Sequence, residues 1–501
     1  MSNQYSCIAI DLGAESCRVT LGQWDGARAH IRPVHRFANG PVEREGHLYW
    51  ELDRVWKGVE AGLRLSADLV SCEAGGATSN PQIDSIGVDG WAVDYVRLDR
   101  SGRVLGDPFC YRDRRTENAM PEVWERIARS DLGVADGKAW LYERTGIQFL
   151  RFNTLYQLYI DRRDGVDPGA HWMNLPEYML FRLTGSAPEA LVSEYTNATH
   201  TQLVDVHSGK WCDHIFDAVG LNRSAAPSIV GPGTRLGPLR GPLASVAAYQ
   251  NTQLIAPACH DTGSAVAGIQ DSGTDWAFII SGTWSLVGTL LDTPCTTEAA
   301  RRANFTNEGG IGGKIRFLKN VNGMWLLQEC LREWNFPQAT WSLEQLLAAC
   351  RGRSCPAVTF DVDSADLLLP GNMAARINRE LERAGHAPVP TDPEHAPIMA
   401  DIILTSLAAR YTKVLEALGE VTGRAFRRMY IVGGGSQNEY LNRLIEERTG
   451  LNLLRGPVES STVGNLAVQF AALEGGHDAV TPAAVAAWAE RLGFAATTAG
   501  V

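Results

Sequence analysis

Two aspartates each sit where an apolar run gives way to small polar residues. Carboxylates so placed can do two kinds of chemistry: hold a hydrated divalent cation, or take a proton from a hydroxyl. Asp11 ends the run Cys7–Ile10 and opens the turn Asp11–Cys17, after which a second run, Arg18–Leu21, begins. The glycine of that turn lets backbone N–H groups approach an anion, and Glu15, Ser16 and Cys17 add hydroxyl and amide donors. An ordinary hairpin with a surface Asp accounts for the same residues. Asp261 lies in Cys259-His260-Asp261-Thr262-Gly263-Ser264, directly after the short apolar run Leu254–Ala258. An Asp between a His and hydroxyls at a strand-to-helix turn suits proton transfer, while helix capping by Asp261 or Thr262 explains it equally well. A third feature is Gly433-Gly434-Gly435 after Arg428–Val432, where consecutive glycines let the backbone lie flat against a ligand ahead of a helix N-terminus. That spacing is not G-x-G-x-x-G, and no Walker lysine motif occurs, which disfavours a dinucleotide fold and a P-loop.

The elements that must position these residues follow from hydrophobic pattern. The two runs around Asp11–Cys17 read as a hairpin, and His30–Phe37 as a third strand. Glu51 to about Cys72 reads as a helix with Val55, Val59, Leu63, Leu65 and Leu69 recurring near helical spacing, followed by a loop over Glu73–Pro81. Ile83–Val88 is an apolar strand with DGWAVD at its carboxyl end, the end at which open α/β sheets bind ligands. YRDRRT at Tyr111–Thr116 reads either as a solvated charge run or as Arg112 and Asp113 facing a polyhydroxylated substrate. EYTNAT at Glu194–Thr199 suits sugar binding or a well-satisfied core edge. A Gly, Pro, Ala and Ser-rich stretch at Pro238–Gln250 marks a domain boundary, dividing the chain into 1–250, 251–476 and a tail, 477–501. Beyond it, Trp276–Ile280, the turn Ser281–Trp284 and Ser285–Leu291 repeat the opening pattern, so two similar halves each supply a phosphate loop. Lys314–Val321 is a strand, Gly323–Trp334 an amphipathic helix, and 335–397 lacks periodicity. Ile398 to Leu418 carries a one-sided apolar stripe, and Glu459–Thr462 caps a helix over Val463–Leu473.

At 501 residues the chain exceeds one hydrophobic core. A net charge of −11, from 46 Lys plus Arg against 57 Asp plus Glu, argues against nucleic acid or an anionic membrane and for a small-molecule ligand. With no run of eighteen apolar residues, no basic leader and no small-residue cleavage site, the expected location is cytoplasmic. The ten cysteines are scattered without a C-x-x-C pair, so thiols are expected, although Cys350 and Cys355 are near enough in sequence to pair.

DLGAES, CHDTGS, SGTWS and VGGGSQN, in this order, resemble the FGGY carbohydrate kinases of the actin-like ATPase superfamily, over about residues 6–475. GVDGWAVDYV, YRDRRT, GIQFLRFNTLYQL, EYTNATHTQL, TNEGG, LKNVNGMWLLQ and GPVESSTVGN look most like the members that phosphorylate the 1-hydroxyl of L-rhamnulose. A related deoxyketose such as L-fuculose, or a non-catalytic sugar sensor, are the alternatives. The resemblance implies an α/β fold of two RNase H-like domains with an interdomain cleft, and the cofactors ATP and Mg²⁺. It assigns Ala14, Glu15, Ser16, Cys17 and Arg18 to ATP phosphates, and Asp11 to the metal. Thr283, Gln328, Gly434 and Gly435 would meet the nucleotide. Ala92, His260, Asp261, Thr262 and Asn320 would meet the ketose, with Asp261 as general base. Ala92 stands where the family has Gly, and Glu15 and Cys17 replace smaller residues, Glu15 adding negative charge near phosphates. No nucleic-acid or membrane partner is implied, and the oligomeric state is left open.

Overall fold

Tyr5–Leu12 shows no polar alternation because it is a sheet-centre strand buried on both faces, with Cys7, Ile8, Ala9, Ile10 and Leu12 all inaccessible to solvent. The computed structural model describes residues 4–74, 82–185, 191–269, 273–351, 358–493 and 497–498. In it this strand pairs antiparallel with Ser16–Trp24 and parallel with Ser85–Gly90. The hairpin is tighter than expected, since its strands continue to Leu12 and from Ser16, leaving Gly13-Ala14-Glu15 as the loop. A Cβ on Gly13 would lie 2.4 Å from the Ser16 carbonyl oxygen, so the turn closes only on glycine.

Contacts group the chain into two units. One contains Met1–Gln270, Leu290–Phe317 and Ser460–Phe494; the other contains Asp271–Thr289, Leu318–Glu459 and Ala495–Val501. The first unit's sheet runs Arg235–Pro238, Gln253–Ile255, Ser85–Gly90, Tyr5–Leu12, Ser16–Trp24, Ala29–Ala38. In the second unit the order includes Trp284–Leu291, Trp276–Ser281, Arg428–Val432 and Asn452–Arg455. In both, the first strand of a hairpin is flanked on its other side by parallel strands, which is the recurrence that the sequence suggested.

In the first unit, helix Leu52–Ala74 buries Val55, Val59, Leu63 and Val70, but Leu65 and Leu69 are 45% and 37% exposed. Leu65 does not belong to the expected stripe: at 3.6 residues per turn it lies about 200° round the helix from Leu63. The YRDRRT run is not a solvated face either. Asp113 is buried and caps the 3₁₀ turn Arg114–Thr116 by accepting from Arg115 N (2.8 Å), and it also accepts from Leu48 N (2.7 Å). Arg115 forms a buried ion pair with Asp161 and lies over the Phe109 ring. Helices Ala119–Arg129, Thr154–Arg163 and Asp213–Val219 share a further apolar core around Ile127, Leu155 and Phe216.

Helix Ser460–Gly475 starts earlier than expected and lies in the first unit, buried along most of its length. Its residues 461, 465 and 469 share one face by i, i+4 spacing and fasten it to the sheet. Ser461 Oγ donates to Asp11 Oδ2 (2.5 Å), Asn465 Nδ2 to Asp89 Oδ2 (2.8 Å) and Gln469 Nε2 to Ile8 O (3.0 Å). Gly464 is required by the neighbouring helix Asp261–Ala267, because a Cβ there would sit 1.8 Å from Ser264 O.

In the second unit, helix Ala396–Thr422 is buried all round from Met399 to Ala408, broader than the one-sided stripe expected. Two helices, Leu343–Arg351 and Met373–Arg383, lie in the stretch that showed no periodicity. The buried Met373, Ile377 and Leu381 do follow helical spacing, but the stripe is short and set among charged residues. Nine cysteines are free thiols among the described residues; most of the loop expected at Glu73–Pro81, and Cys355 with its possible pairing to Cys350, lie outside them. Among the described residues, no helix is long and apolar enough to cross a membrane.

Candidate active site

Three carboxylates come to the ends of three neighbouring parallel segments of the first unit. Asp11 and Asp89 are register partners on paired strands. Gly90 then donates to Cys259 O (3.0 Å) and bridges in parallel to His260, which brings Asp261 beside them. Asp89 opens the motif DGWAVD, whose local pattern marks it for no role; sheet register, which only folding supplies, makes it part of this group. It is fully buried. Burial, then the charge of Asp11, push its carboxyl well above the usual range against the Asn465 hydrogen bond, and its Oδ1 accepts no hydrogen bond. Asp11 is 3% exposed and also faces Arg18 Nε at 3.6 Å. Hard carboxylate oxygens, one of them buried without a donor, are the kind of ligand Mg²⁺ takes, so the residues present fit that ion.

Asp261 is the first residue of its helix, and His260 rather than Asp261 or Thr262 occupies the N-cap position, with no side-chain cap bond. Although 29% of the Asp261 side chain meets solvent, burial and then the Asp11 charge push its carboxyl up to about 7, against the Thr262 N–H and Arg316. The turn is held from behind by EYTNAT. Glu194 accepts from Cys259 N (2.8 Å) and from the Thr196 hydroxyl, and Thr196 Oγ1 accepts from His260 N (3.0 Å). That motif is therefore scaffold for the aspartate turn.

The Gly13–Glu15 loop is braced by Asn39, which sequence reasoning missed: its Nδ2 donates to Gly13 O (2.9 Å) and its N to Glu15 O (2.8 Å). Ser16 Oγ accepts from Arg36 Nη2 (3.1 Å). The Cys17 side chain points into the core, and burial followed by the Asp11 charge pushes its thiol up to about 12, so it offers an anion only its backbone. Ala92 is buried between Trp91 and Val93. Val93 has φ +70°, a left-handed conformation that a β-branched residue enters only when held there. Its carbonyl accepts from Thr154 Oγ1 (2.8 Å) and Gln157 Nε2 (3.3 Å).

The other predicted residues, Thr283, Asn320, Gln328, Gly434 and Gly435, belong to the second unit. Four of them gather around one hairpin loop. Met324 N donates to Gly282 O (3.0 Å) and Trp325 N to Thr283 O (3.2 Å), seating the loop on the helix that carries Gln328. Gly435 lies against the end of the same hairpin's first strand, where a Cβ would be 1.9 Å from Ser281 Oγ. Gln328 Oε1 is buried and accepts no hydrogen bond. Asn320 is half-buried on the strand Ile315–Asn322.

Residues 6–268 match the N-terminal domain, and residues 277–473 the C-terminal domain, of the FGGY family of carbohydrate kinases. The chain belongs to this family. As an FGGY kinase it is an ATP-dependent sugar kinase with the two-domain, actin-like ATPase fold. It is 38% identical over 477 residues to the rhamnulokinase of Enterobacter sp. (strain 638), covering 93% of this chain and 89% of that one. It is 39% identical to the rhamnulokinase of Klebsiella pneumoniae (strain 342), covering 93% and 90%. In fold it is similar to the gluconate kinase of Lactobacillus acidophilus, with TM-score 0.73 and 16% identity over 99% of this chain and 93% of that one. The ligand-bound xylulose kinase of Lactobacillus acidophilus gives TM-score 0.74 at 15% identity, over 99% and 92%.

Proposed function

We propose that this kinase transfers the γ-phosphoryl group of ATP to the 1-hydroxyl of L-rhamnulose, with Asp261 as the general base. The observation that carries the reading is the aspartate turn: a carboxylate at a strand-to-helix junction, partly open to solvent and backed by a buried polar scaffold. Rhamnulokinases matched over 93% of the chain support the choice of sugar. His260, Thr262, Asn320 and the backbone at Ala92 bind the ketose. The Ala14–Arg18 loop, Thr283, Gln328, Gly434 and Gly435 bind ATP. Asp11, with Asp89 behind it, holds Mg²⁺, which when bound neutralises phosphate charge. Phosphoryl transfer asks the chain mainly for alignment, so Asp261 has to aim the attacking hydroxyl and accept its proton late. The substrate pair of ATP and a free ketose places the reaction in the cytoplasm.

The test is ADP release measured with a coupled assay across a sugar panel. L-Rhamnulose is expected to give the highest kcat/KM, and a preference for L-fuculose would overturn the sugar assignment. In the same assay, kcat/KM for the sugar is expected to fall on the acid side of about pH 7, because the Asp261 carboxyl is held near that value and only its ionised form accepts a proton. A profile flat from pH 5 to 8 would remove Asp261 from that role.

A further inference from the structure

Behind the aspartate turn lies a buried cluster, His200 of EYTNATHTQL, Glu308 of TNEGG and Arg316 around His260, each at most 5% exposed. His200, His260 and Glu308 bring three ligand-type atoms within 4.8 Å of one another. The place of a cation there is already filled, because Arg316 Nη1 lies 3.0 Å from Glu308 Oε2. The guanidinium is spread over the turn in a fork. Its Nε donates to Gly309 O (2.8 Å), Nη1 to Thr262 Oγ1 (2.7 Å) and Nη2 to His260 Nδ1 (3.2 Å).

We propose that Arg316 is a positioning residue that fixes the tautomer of His260 and turns the Thr262 hydroxyl into a donor aimed at the sugar. The inference rests on reading His260–Thr262 as the sugar side of the site. A guanidinium has donors and no acceptor, so His260 Nδ1 must present its lone pair to it. Glu308 Oε2 is 3.4 Å from the same nitrogen, farther than the guanidinium at 3.2 Å, and a proton on Nδ1 would point two donors at each other across that shorter distance. The ring is neutral, because burial outweighs Glu308 and holds the imidazole down to about 3. Its single proton therefore sits on Nε2, which is 3.0 Å from Thr262 Oγ1 and 3.6 Å from Asp261 Oδ1. Thr262 Oγ1 then accepts from both Arg316 and His260, and with its two lone pairs engaged its own proton is left to donate away from the cluster. The partner this selects is an oxygen acceptor beside the hydroxyl that Asp261 deprotonates, as the C2 oxygen of a 1-hydroxy ketose is.

The decisive measurement is the His260 tautomer in the wild-type chain labelled with ¹⁵N-histidine, its resonance assigned by its loss in His260→Gln. A single neutral Nε2–H form across pH 6–8 is expected; an Nδ1–H form or a mixture overturns the proposal. This readout is independent of which sugar, if any, is phosphorylated, so the functional reading can fail separately. Arg316→Lys keeps the charge opposite Glu308 but not the fork. It is expected to lose the single tautomer and raise the sugar KM by about 10–10²-fold with the ATP KM unchanged, as for other residues that orient a histidine. Full rescue by lysine would show that the ion pair serves stability alone and would equally overturn the proposal.

Discussion

Asp261→Asn is expected to retain ATP and sugar binding and to lose about 10²–10⁴-fold in turnover, the range of a lost general base. Asparagine keeps the shape of the side chain and can still accept the Thr262 N–H bond of 2.6 Å, so the turn is preserved. It cannot take a proton. Removing one of three neighbouring carboxylates also removes repulsion from Asp11 and Asp89, so the fold is expected to be as stable as wild type. Isothermal titration of ADP and sugar, beside the coupled assay, separates the two effects. Turnover within threefold of wild type would exclude Asp261 as the base.

The largest loss of stability is expected from Asp94→Ala. Asp94 is fully buried, and its Oδ2 accepts from Trp50 Nε1 (2.6 Å), Trp91 Nε1 (3.1 Å) and Tyr111 N (3.2 Å), while Oδ1 accepts from Gln157 Nε2 (3.0 Å). Alanine strands two indole N–H groups in the core at about 1–3 kcal/mol each, so a loss of about 3–5 kcal/mol is expected. Over a chain of 501 residues that loss corresponds to a fall of about 3–5 °C in the unfolding midpoint. Because Trp91 adjoins the left-handed Val93 and Ala92, the backbone proposed to meet the sugar, a raised sugar KM is expected alongside it in the coupled assay. Burial outweighs these hydrogen bonds and pushes the Asp94 carboxyl up to about 6, above its value of about 4 in an unfolded chain. Protonation thus favours the fold: the contribution is complete below about pH 4 and is lost as pH rises through 6. Melting of Asp94→Asn between pH 4 and 7 is expected to lack this component; an unchanged pH dependence would show that other groups supply it.

Asp11 and Asp261 were legible because each stands at a local boundary between an apolar run and a small polar turn. The hairpins, the glycine turn after Arg428–Val432 and the family follow from the same short-range patterns. Legibility failed where partners are distant. YRDRRT looks solvated because six charged or polar residues in a row give no sign that Asp113 meets Leu48 N or that Arg115 meets Asp161. Asp89 carries no local mark of its place, since nothing along the chain says that its strand lies beside the one carrying Asp11.

What the sequence determined by itself is the set of turns able to meet phosphate and hydroxyl groups, because a turn depends on glycine, hydroxyl and carboxylate residues a few positions apart. Tertiary structure alone decided which side chains complete them. Sheet register put Asp89 beside Asp11, and the packing of helix Ser460–Gly475 brought Ser461 to Asp11 across 450 residues. Arg316 reached His260 and Thr262 from a strand more than fifty residues away. Those contacts come from burying apolar surface between segments remote in sequence, and the local pattern around each residue carries no record of the partner it will meet.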